Sequence, residues 1–283
     1  MSRKLCATLL LALAAGTAGT AAQAADLPDR IVQTKVIKVA VNAIYPPMEF
    51  KDPQSGVLTG FDVDLGNALA QELGVTLDWQ ESAFEQMIPS LATGRVDMIL
   101  SGLNDRPDRR ETADFVDYLN SGAQFFVLAE RAGEFKAPTD LCGKAVGSSR
   151  STAFPKSIAD WSAANCEGAG RPAIQVSGTE DTTSARSQLK QRRLDAAVQG
   201  SETVAYAMSL EPGVYQPLGA PFVSASQGMA FTKQDTQLRD AVLAALQKLM
   251  ADGRYGRIVA KWHLEASAAP RVTLNGAPLP AKP

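Results

Sequence analysis

The chain has 283 residues, with 28 lysines and arginines against 30 aspartates and glutamates, for a formal net charge of −2. The basic residues form no block of the kind that binds nucleic acid or an anionic membrane surface, so neither partner is expected. Beyond the N-terminus no apolar run approaches the about 20 residues that span a bilayer, and the length suits one large domain or two small ones.

The first 24 residues are typical of a secretory signal peptide rather than of a folded segment. Arg3 and Lys4 precede a short apolar stretch at residues 5–15, and Ala22-Gln23-Ala24 is a small-x-small cleavage site. We therefore expect a periplasmic protein that is exported by a cleaved signal peptide and begins near Ala25. Removal of the two positive charges of residues 1–24 would change the net charge from −2 to about −4.

Cys142 and Cys166 are the cysteines that remain after such cleavage. An even pair in an oxidising compartment predicts a disulfide. A metal site is less well supported, because the chain has no Cys-x-x-Cys motif and its one histidine, His263, lies far away in sequence. We expect neither a metal nor a cofactor.

Strand and helix patterns alternate along the chain. The β-branched run Val36–Val41 predicts a strand, and a helix follows from Asp62, which can cap it, to Gly74, which can end it. Residues 75–79 and 96–100 predict further strands. Such alternation indicates an α/β fold of parallel sheets covered by helices on both faces.

One local pattern occurs twice. Residues 90–100 and 188–198 each form a helix end, a basic turn and a strand, and each copy leads into a polar turn, at 101–104 and at 199–202. A spacing of about 98 residues exceeds any solenoid repeat and indicates two similar lobes instead. Because open α/β sheets bind ligands beyond the carboxyl ends of their strands, we expect both turns to face one cleft.

Two strand-like runs, at residues 125–128 and 228–231, are predicted to cross between the lobes. The helices predicted at 236–250 and 255–262 then return to the first lobe. Residues 266–283 contain four prolines and are predicted to be a flexible, loosely held tail. The expected boundaries are a signal peptide at 1–24, a first lobe at 30–127 and 225–265, a second lobe at 128–224, and the tail at 266–283.

Several residues near these turns could bind a ligand. Arg109 follows the first polar turn and could donate two hydrogen bonds to a carboxylate, although a surface arginine is the alternative. Tyr45 and Phe84 could form the walls of a site or could be core residues. Arg150, Ser151 and Thr152 enter a helix after a strand, where they would favour an anion or would merely cap the helix.

The chain resembles the polar amino-acid-binding family of ABC importers, the family 3 solute-binding proteins. The matching motifs begin with Tyr45-Pro46-Pro47-Met48-Glu49-Phe50 and run in order through most of the chain. They lie at residues 45–50, 60–65, 84–91, 97–102, 107–110, 141–147, 195–198 and 252–262. Eight such pieces in the right order are a far more specific signal than any one of them.

The resemblance implies a two-lobed periplasmic-binding-protein fold of type II, with two crossover strands between lobes that close on the ligand. In that family the arginine at the position of Arg109 binds the α-carboxylate of the ligand, and aromatic residues at the positions of Tyr45 and Phe84 enclose its side chain. The expected ligand-binding residues are Asn42, Tyr45, Phe84, Ser101, Gly102, Asn104, Arg109, Arg150, Ser151, Thr152, Gly200 and Glu202.

The chain also departs from the family pattern. Relatives usually have an aspartate for the ligand's ammonium group where this chain has Gly200, and often an acid where it has Asn42. A buried ammonium without an acidic partner is costly, unless Glu202 reaches the site. If Arg150 points inward, the two arginines would favour a ligand with two anionic ends, such as a dicarboxylate or an acidic amino acid.

The predicted function is therefore that of the substrate-binding component of an ABC importer, which captures a small carboxylate-bearing solute, an amino acid or related organic acid. The expected partners are that small-molecule carboxylate and, transiently, a membrane ABC permease, and the expected state is a monomer. Two alternatives remain. One is a dehydratase that resembles the cyclohexadienyl dehydratases, with Glu202 as general acid, although no nucleophile elbow, phosphate loop or HExxH motif is present. The other is a periplasmic sensor or redox helper.

Overall fold

The computed structural model of the protein describes residues 27–279, and the predicted signal peptide and cleavage site lie outside that range. Within it, none of the helices combines the length and the apolar character that a membrane-spanning segment requires. The helices of this range, numbered in chain order, are α1 Asp29–Thr34, α2 Phe61–Leu73, α3 Met87–Ala92, α4 Pro107–Arg110, α5 Phe154–Asn165, α6 Thr182–Lys190, α7 Ser201–Leu210, α8 Thr236–Ala251 and α9 Arg254–Lys261.

The strands, numbered in the same way, fall into one large and one small sheet. They are β1 Val36–Val41, β2 Ile44–Tyr45, β3 Glu49–Lys51, β4 Leu58–Thr59, β5 Thr76–Glu81, β6 Met98–Ile99, β7 Ala113–Leu128, β8 Ala145–Ser149, β9 Gln175–Thr179, β10 Ala196–Gly200, β11 Tyr215–Pro217, β12 Val223–Thr232, β13 Ala268–Leu274 and β14 Ala277–Pro278.

The large sheet has the central order β5-β1-β6-β12-β7-β10-β8-β9. On one side β1 pairs in parallel with β5 and β6, and on the other side β8 pairs in parallel with β9 and β10. The predicted parallel strands are thus confirmed in each half. The two halves meet at β7 and β12, which run antiparallel to each other.

Strands β7 and β12 join the two lobes. The first half of β7 lies beside β12 and β13, whereas its second half also pairs with β10 and β11 of the other lobe. Both predicted crossover segments, at residues 125–128 and 228–231, belong to these strands. The fold is therefore the expected two-lobed α/β architecture with two crossover strands.

Each lobe has apolar side chains on both faces of its sheet. Adjacent strand residues alternate between faces, so Val39 and Ala40 of β1 belong to different buried clusters. The Val39 cluster packs against α2, α8 and α9, and the Ala40 cluster packs against α3. In the second lobe one cluster contains Ile158 of α5, and another contains Ala185 of α6 and Val204 of α7.

The start of helix α2 differs from the sequence prediction. Asp62 does not cap the helix, because α2 begins one residue earlier, at Phe61, and no side chain caps it. Asp62 is instead completely buried and accepts hydrogen bonds from the Gly102 amide at 2.7 Å and the Tyr118 hydroxyl at 2.9 Å. The other end is as predicted, since Gly74 ends α2 in the left-handed conformation.

The segment after residue 266 is not loose coil over the part that the structure describes, so the prediction of a flexible tail is wrong there. Strand β13 pairs with β7 and with β14. Val272 is buried, and the Thr273 hydroxyl donates to Asp117 at 2.6 Å. The prolines of this segment suggested a break in structure. Pro270 lies where the pairing of β13 with β7 shifts in register, and Pro278 lies in β14 at the edge of the sheet, and both are places where a strand tolerates proline.

The predicted disulfide is present. Cys142 and Cys166 are bonded, with Cα atoms 5.5 Å apart and a sequence separation of 24 residues. The bond lies in the apolar core of the second lobe. It connects Cys142, just before β8, to Cys166 at the end of α5.

Candidate functional site

A cavity of about 230 Å³ lies between the lobes. Its first-lobe wall comes from the turn after β1, the short 3₁₀ helix at Phe84–Gln86 and the turn after β6, and its second-lobe wall comes from the turns after β8 and β9. These are carboxyl ends of parallel strands, as expected, but the predicted turn at 199–202 is not among them. The lining residues are Asn42, Ile44, Tyr45, Glu49, Ala83, Phe84, Glu85, Gly102, Asn104, Arg109, Ser149, Ser151, Thr152, Ala153, Phe154, Glu180, Asp181 and Thr182.

Arg109 is the one cation on this wall. Its guanidinium donates from Nη1 to the Asn104 carbonyl at 2.9 Å and lies 5.4 Å from the centre of the Phe84 ring. Arg106 and Arg110 pair with Asp108 and Asp105, but in residues 27–279 no carboxylate lies within 4 Å of Arg109.

The surroundings of Arg109 are unfavourable for its charge. Burial, and then the nearby Arg106, lower the pKa of Arg109 to about 10. The group remains charged at neutral pH because that value lies well above 7. An anion from a ligand would supply the charge partner that the protein leaves out, and a guanidinium can donate two parallel hydrogen bonds to a carboxylate.

The turn after β6 forms the floor of the cavity. The Ser101 hydroxyl donates to Glu49 at 2.6 Å and accepts from the Asn42 amide at 3.0 Å, so Ser101 lies beneath the wall rather than on it. Gly102 has a φ of +50°, and a Cβ there would lie 2.5 Å from the Tyr45 ring. Only glycine therefore fits between Tyr45 and the turn.

Asn104 brings an unused acceptor to this floor. Its Oδ1 atom is buried and has no hydrogen-bond partner in the described part of the chain. The side-chain nitrogen of Asn42 donates to the Ser82 carbonyl at 2.9 Å, so the side-chain oxygen is the atom left for other contacts. Both side chains are neutral acceptors in places where an ammonium group of a ligand could donate.

Two buried carboxyl groups support the floor from below. Glu49 and Asp62 are 1% and 0% exposed, and they hold consecutive residues of the turn, since Glu49 accepts from Ser101 and Asp62 accepts from the Gly102 amide. Burial and the charge of Asp62 raise the pKa of Glu49 well above its usual range, and burial raises the pKa of Asp62 to about 7. The oxygens Glu49 Oε2 and Asp62 Oδ1 accept from no donor of residues 27–279, as expected if one proton is held between the two groups.

In the second lobe, Ser151 and Thr152 lie on the wall but Arg150 does not. The Arg150 amide donates to Thr179 of β9 at 3.0 Å, and its side chain passes over Gly178 and is exposed. Because neighbouring residues of an extended chain point to opposite sides, Ser149 and Ser151 face the cavity instead. The expectation of a second inward arginine is therefore wrong.

Acidic residues, rather than a second arginine, line the second-lobe side of the cavity. Glu180 and Asp181, at the end of β9, both line it, and Asp181 also caps α6 by accepting from the Ser184 amide at 2.6 Å. With Glu85 and Glu49 of the first lobe, four acids and one arginine line the cavity. The sequence analysis missed the acidic pair, although its place between a strand and a helix, beside the cleft, was a usable signal.

Gly200 and Glu202 were expected on the wall, and neither lies there. The Glu202 side chain folds back across the end of β10, so that a Cβ on Gly200 would lie 1.9 Å from Glu202 Oε1. This carboxyl group is 2% exposed and accepts from Tyr45, Ser121 and Gln227. Burial raises the pKa of Glu202, while these donors act in the opposite direction.

Of the twelve predicted residues, eight therefore lie on the cavity wall. They are Asn42, Tyr45, Phe84, Gly102, Asn104, Arg109, Ser151 and Thr152. Ser101, Arg150, Gly200 and Glu202 do not, because they are covered by a neighbour or directed to solvent.

Comparison with known proteins agrees with this fold. Residues 37–265 match the family described as bacterial extracellular solute-binding proteins, family 3. The arginine-binding protein ArgT of Corynebacterium glutamicum is 31% identical over 255 residues, which are 90% of this chain and 83% of that protein.

Two solved structures are similar over most of the chain. A mutant of ArgBP from T. maritima has a TM-score of 0.73 and 29% identity, and the match covers 84% of this chain and 99% of that one. The ancestral amino acid-binding protein AncCDT-1, described as a precursor of cyclohexadienyl dehydratase, has a TM-score of 0.74 and 29% identity, with coverage of 83% and 98%. The chain therefore belongs to the family 3 bacterial extracellular solute-binding proteins.

Proposed function

We propose that the protein is the periplasmic binding component of an ABC importer and that it captures an amino acid with a cationic side chain, of which arginine is the first candidate. The observation that carries this proposal is the charge distribution of the cavity, with one unpaired arginine on the first lobe and the acidic pair Glu180–Asp181 on the second. The similarity to the arginine-binding protein ArgT and to ArgBP is consistent with it.

The carboxylate of such a ligand would bind Arg109. In an occluded site a charge-assisted pair of this kind is worth more than an exposed salt bridge, because water competes less for the two groups. The α-ammonium group would donate to the neutral oxygens of Asn42 and Asn104, and the side-chain cation would extend toward Glu180 and Asp181. Tyr45 and Phe84 would enclose the aliphatic part of the ligand.

The dicarboxylate hypothesis has less support, because it depended on a second inward arginine. Arg150 is exposed, and the residues near it on the wall are hydroxyl-bearing or acidic. A second carboxylate on the ligand would approach Glu180 and Asp181 and be repelled.

Closure of the lobes is the proposed mechanism. A ligand that contacts both walls binds the closed form better than the open form, and so it shifts the equilibrium between them by that difference in affinity. A membrane permease would then recognise the closed form.

The dehydratase alternative rests on Glu202 as a general acid. The carboxyl group of Glu202 is not on the cavity wall, and its oxygens already accept three hydrogen bonds from neutral donors. Incubation with prephenate or arogenate tests this alternative. Turnover that is lost in Glu202→Gln would support the dehydratase, and binding without turnover would reject it.

Isothermal titration of the protein against arginine, lysine, histidine, glutamine, glutamate and succinate tests the proposed ligand class. We expect arginine or lysine to bind most tightly, and glutamate and succinate most weakly. Tightest binding of glutamate or succinate would overturn the assignment.

A further inference from the structure

The carboxyl group of Glu202 connects the two lobes to each other and to the hinge, which consists of the crossover strands β7 and β12. It lies in the first turn of α7 in the second lobe, and its Oε1 atom accepts from the Tyr45 hydroxyl of the first lobe at 2.6 Å. Ser121 of β7 donates from 3.0 Å to Oε2, and Gln227 of β12 donates from 3.2 Å to Oε1. Tyr45 belongs to the first lobe and Glu202 to the second. Ser121 and Gln227 belong to the two crossover strands.

This carboxyl group depends on those donors. Glu202 is 2% exposed, and in residues 27–279 it forms no salt bridge with a lysine or arginine. A buried carboxylate without a cation is tolerated only if its oxygens accept several hydrogen bonds. The Tyr45 bond is at the short distance typical of a hydroxyl that donates to an ionised oxygen, which is the stronger class of hydrogen bond.

The position of the carboxyl group explains the glycine that precedes it. A Cβ at Gly200 would lie 1.9 Å from Glu202 Oε1, so the Glu202 carboxyl group fills the space that a side chain at residue 200 would take. The chain thus keeps a carboxyl group at the end of β10, but supplies it from two residues later and directs it to the hinge instead of the cavity wall.

Tyr45 relays this contact to the ligand cavity. Its ring lines the cavity and packs on Gly102, where a Cβ would lie 2.5 Å from the ring, while its hydroxyl reaches Glu202. Separation of the lobes would break the Tyr45–Glu202 bond, since the two residues are on opposite lobes. The bond therefore exists in the closed arrangement and fixes the Tyr45 ring in its place on the wall.

We propose that Glu202 is a positioning residue, which through its hydrogen bond to Tyr45 holds the lobes closed before ligand binds and sets the Tyr45 ring against the ligand. This inference rests on the proposed function, because a closed arrangement that forms without ligand matters only if the cavity binds one. The protein would then spend a larger fraction of time closed than a variant without the bond, and its ligand affinity would be correspondingly higher.

The experiment compares wild type, Tyr45→Phe, Glu202→Gln and the double variant by small-angle X-ray scattering without ligand and by titration with arginine. Each single variant should have a larger ligand-free radius of gyration and bind arginine about tenfold more weakly, as expected for loss of one charge-assisted hydrogen bond. The double variant should match Tyr45→Phe, because Glu202→Gln can only weaken the bond that Tyr45→Phe already removes.

Tyr206→Phe is the matched control. Tyr206 also contacts the opposite lobe, with its ring 5.9 Å from that of Phe50, but its hydroxyl does not bond to Glu202. This variant should leave both the radius and the affinity unchanged. Tyr45→Phe keeps the ring and its packing, so it provides the test if Glu202→Gln does not fold.

An unchanged ligand-free radius in Tyr45→Phe, or affinity losses that simply add in the double variant, would overturn the inference. A wild-type protein that binds none of the amino acids tested would instead contradict the proposed function. The scattering comparison needs no ligand, so it would still decide whether the Tyr45–Glu202 bond holds the lobes closed.

Discussion

Glu49 and Asp62 are a pair of buried carboxyl groups that hold two consecutive residues of the turn facing the ligand cavity. Glu49 accepts from Ser101, and Asp62 accepts from the Gly102 amide, so each acid binds one of two consecutive residues of that turn. The floor of the site is thus fixed by two acids that cannot both carry a charge at low cost.

The pair predicts how stability depends on pH. The pKa of Asp62 is raised to about 7, so between its ordinary value near 3.8 and 7 the folded protein binds more protons than the unfolded chain. The contribution to stability is therefore full below about pH 3.8, falls as the pH rises from there to 7 by up to about 1.4 kcal/mol per pH unit, and levels off above 7. Denaturant unfolding at pH 5, 6, 7 and 8 measures this slope.

Asp62→Asn provides the comparison for that slope. Asparagine keeps an acceptor for Gly102 and cannot ionise, so its stability should decline less over the same range. Asp117, whose pKa burial also raises to about 7, is present in both proteins, so the difference between the slopes isolates the pair. Parallel slopes for the two proteins would show that the pair does not titrate in this range.

Arg109→Lys should weaken binding of any carboxylate ligand about tenfold or more. An ammonium group cannot reproduce two parallel donors, and hydrogen bonds to charged groups contribute about 1.5–3 kcal/mol each. Isothermal titration measures the loss. Arg106→Lys, at a half-buried neighbour paired with Asp108, is the control and should bind as wild type does. Equal affinities for Arg109→Lys and Arg106→Lys would remove Arg109 from the site.

Glu180→Gln should reduce the preference for cationic over neutral amino acids. Glu180 is exposed at the edge of the cavity, so its attraction is partly screened, and we expect about a twofold to fivefold loss for arginine. Glutamine affinity should hardly change, which provides a control within the same protein. The effect should shrink as salt is added. An equal loss for arginine and glutamine would point to a general distortion of the wall instead.

Replacement of Cys142 and Cys166 by alanine should lower the free energy of unfolding by about 3 kcal/mol. The bond closes a 24-residue loop, and the loss reflects the larger freedom of the unfolded chain. For a protein of this size the melting temperature would fall by about 6–12 °C. Neither residue lines the cavity, so ligand affinity should be retained. A melting temperature equal to that of wild type would contradict the assignment of a stabilising role.

The sequence was sufficient for those parts of the fold that local pattern determines. The β-branched run of β1, the end of α2 at Gly74 and the cysteine pair all carry signals over a few residues. Strand β13 was missed because its pairing with β7 depends on residues about 150 positions apart, such as Asp117 and Thr273.

The site residues divide in the same way, into those that local pattern predicts and those that depend on distant contacts. Strand ends placed the turn at 101–104 correctly but also predicted the turn at 199–202 on the wall, because the direction of a side chain within a turn depends on tertiary contacts. Arg150 points to solvent because its amide bonds to β9, and Glu202 turns to the hinge because Tyr45, Ser121 and Gln227 offer donors there. Asp62 was read as a helix cap, although its two hydrogen-bond partners lie 40 and 56 residues away.

A crystal structure of the protein with bound arginine is the most direct test of the central claim. We expect the ligand carboxylate to lie about 2.9 Å from the Arg109 guanidinium, with the side-chain cation directed to Glu180 and Asp181. A ligand bound with its carboxylate away from Arg109, or outside the gap between the lobes, would contradict it.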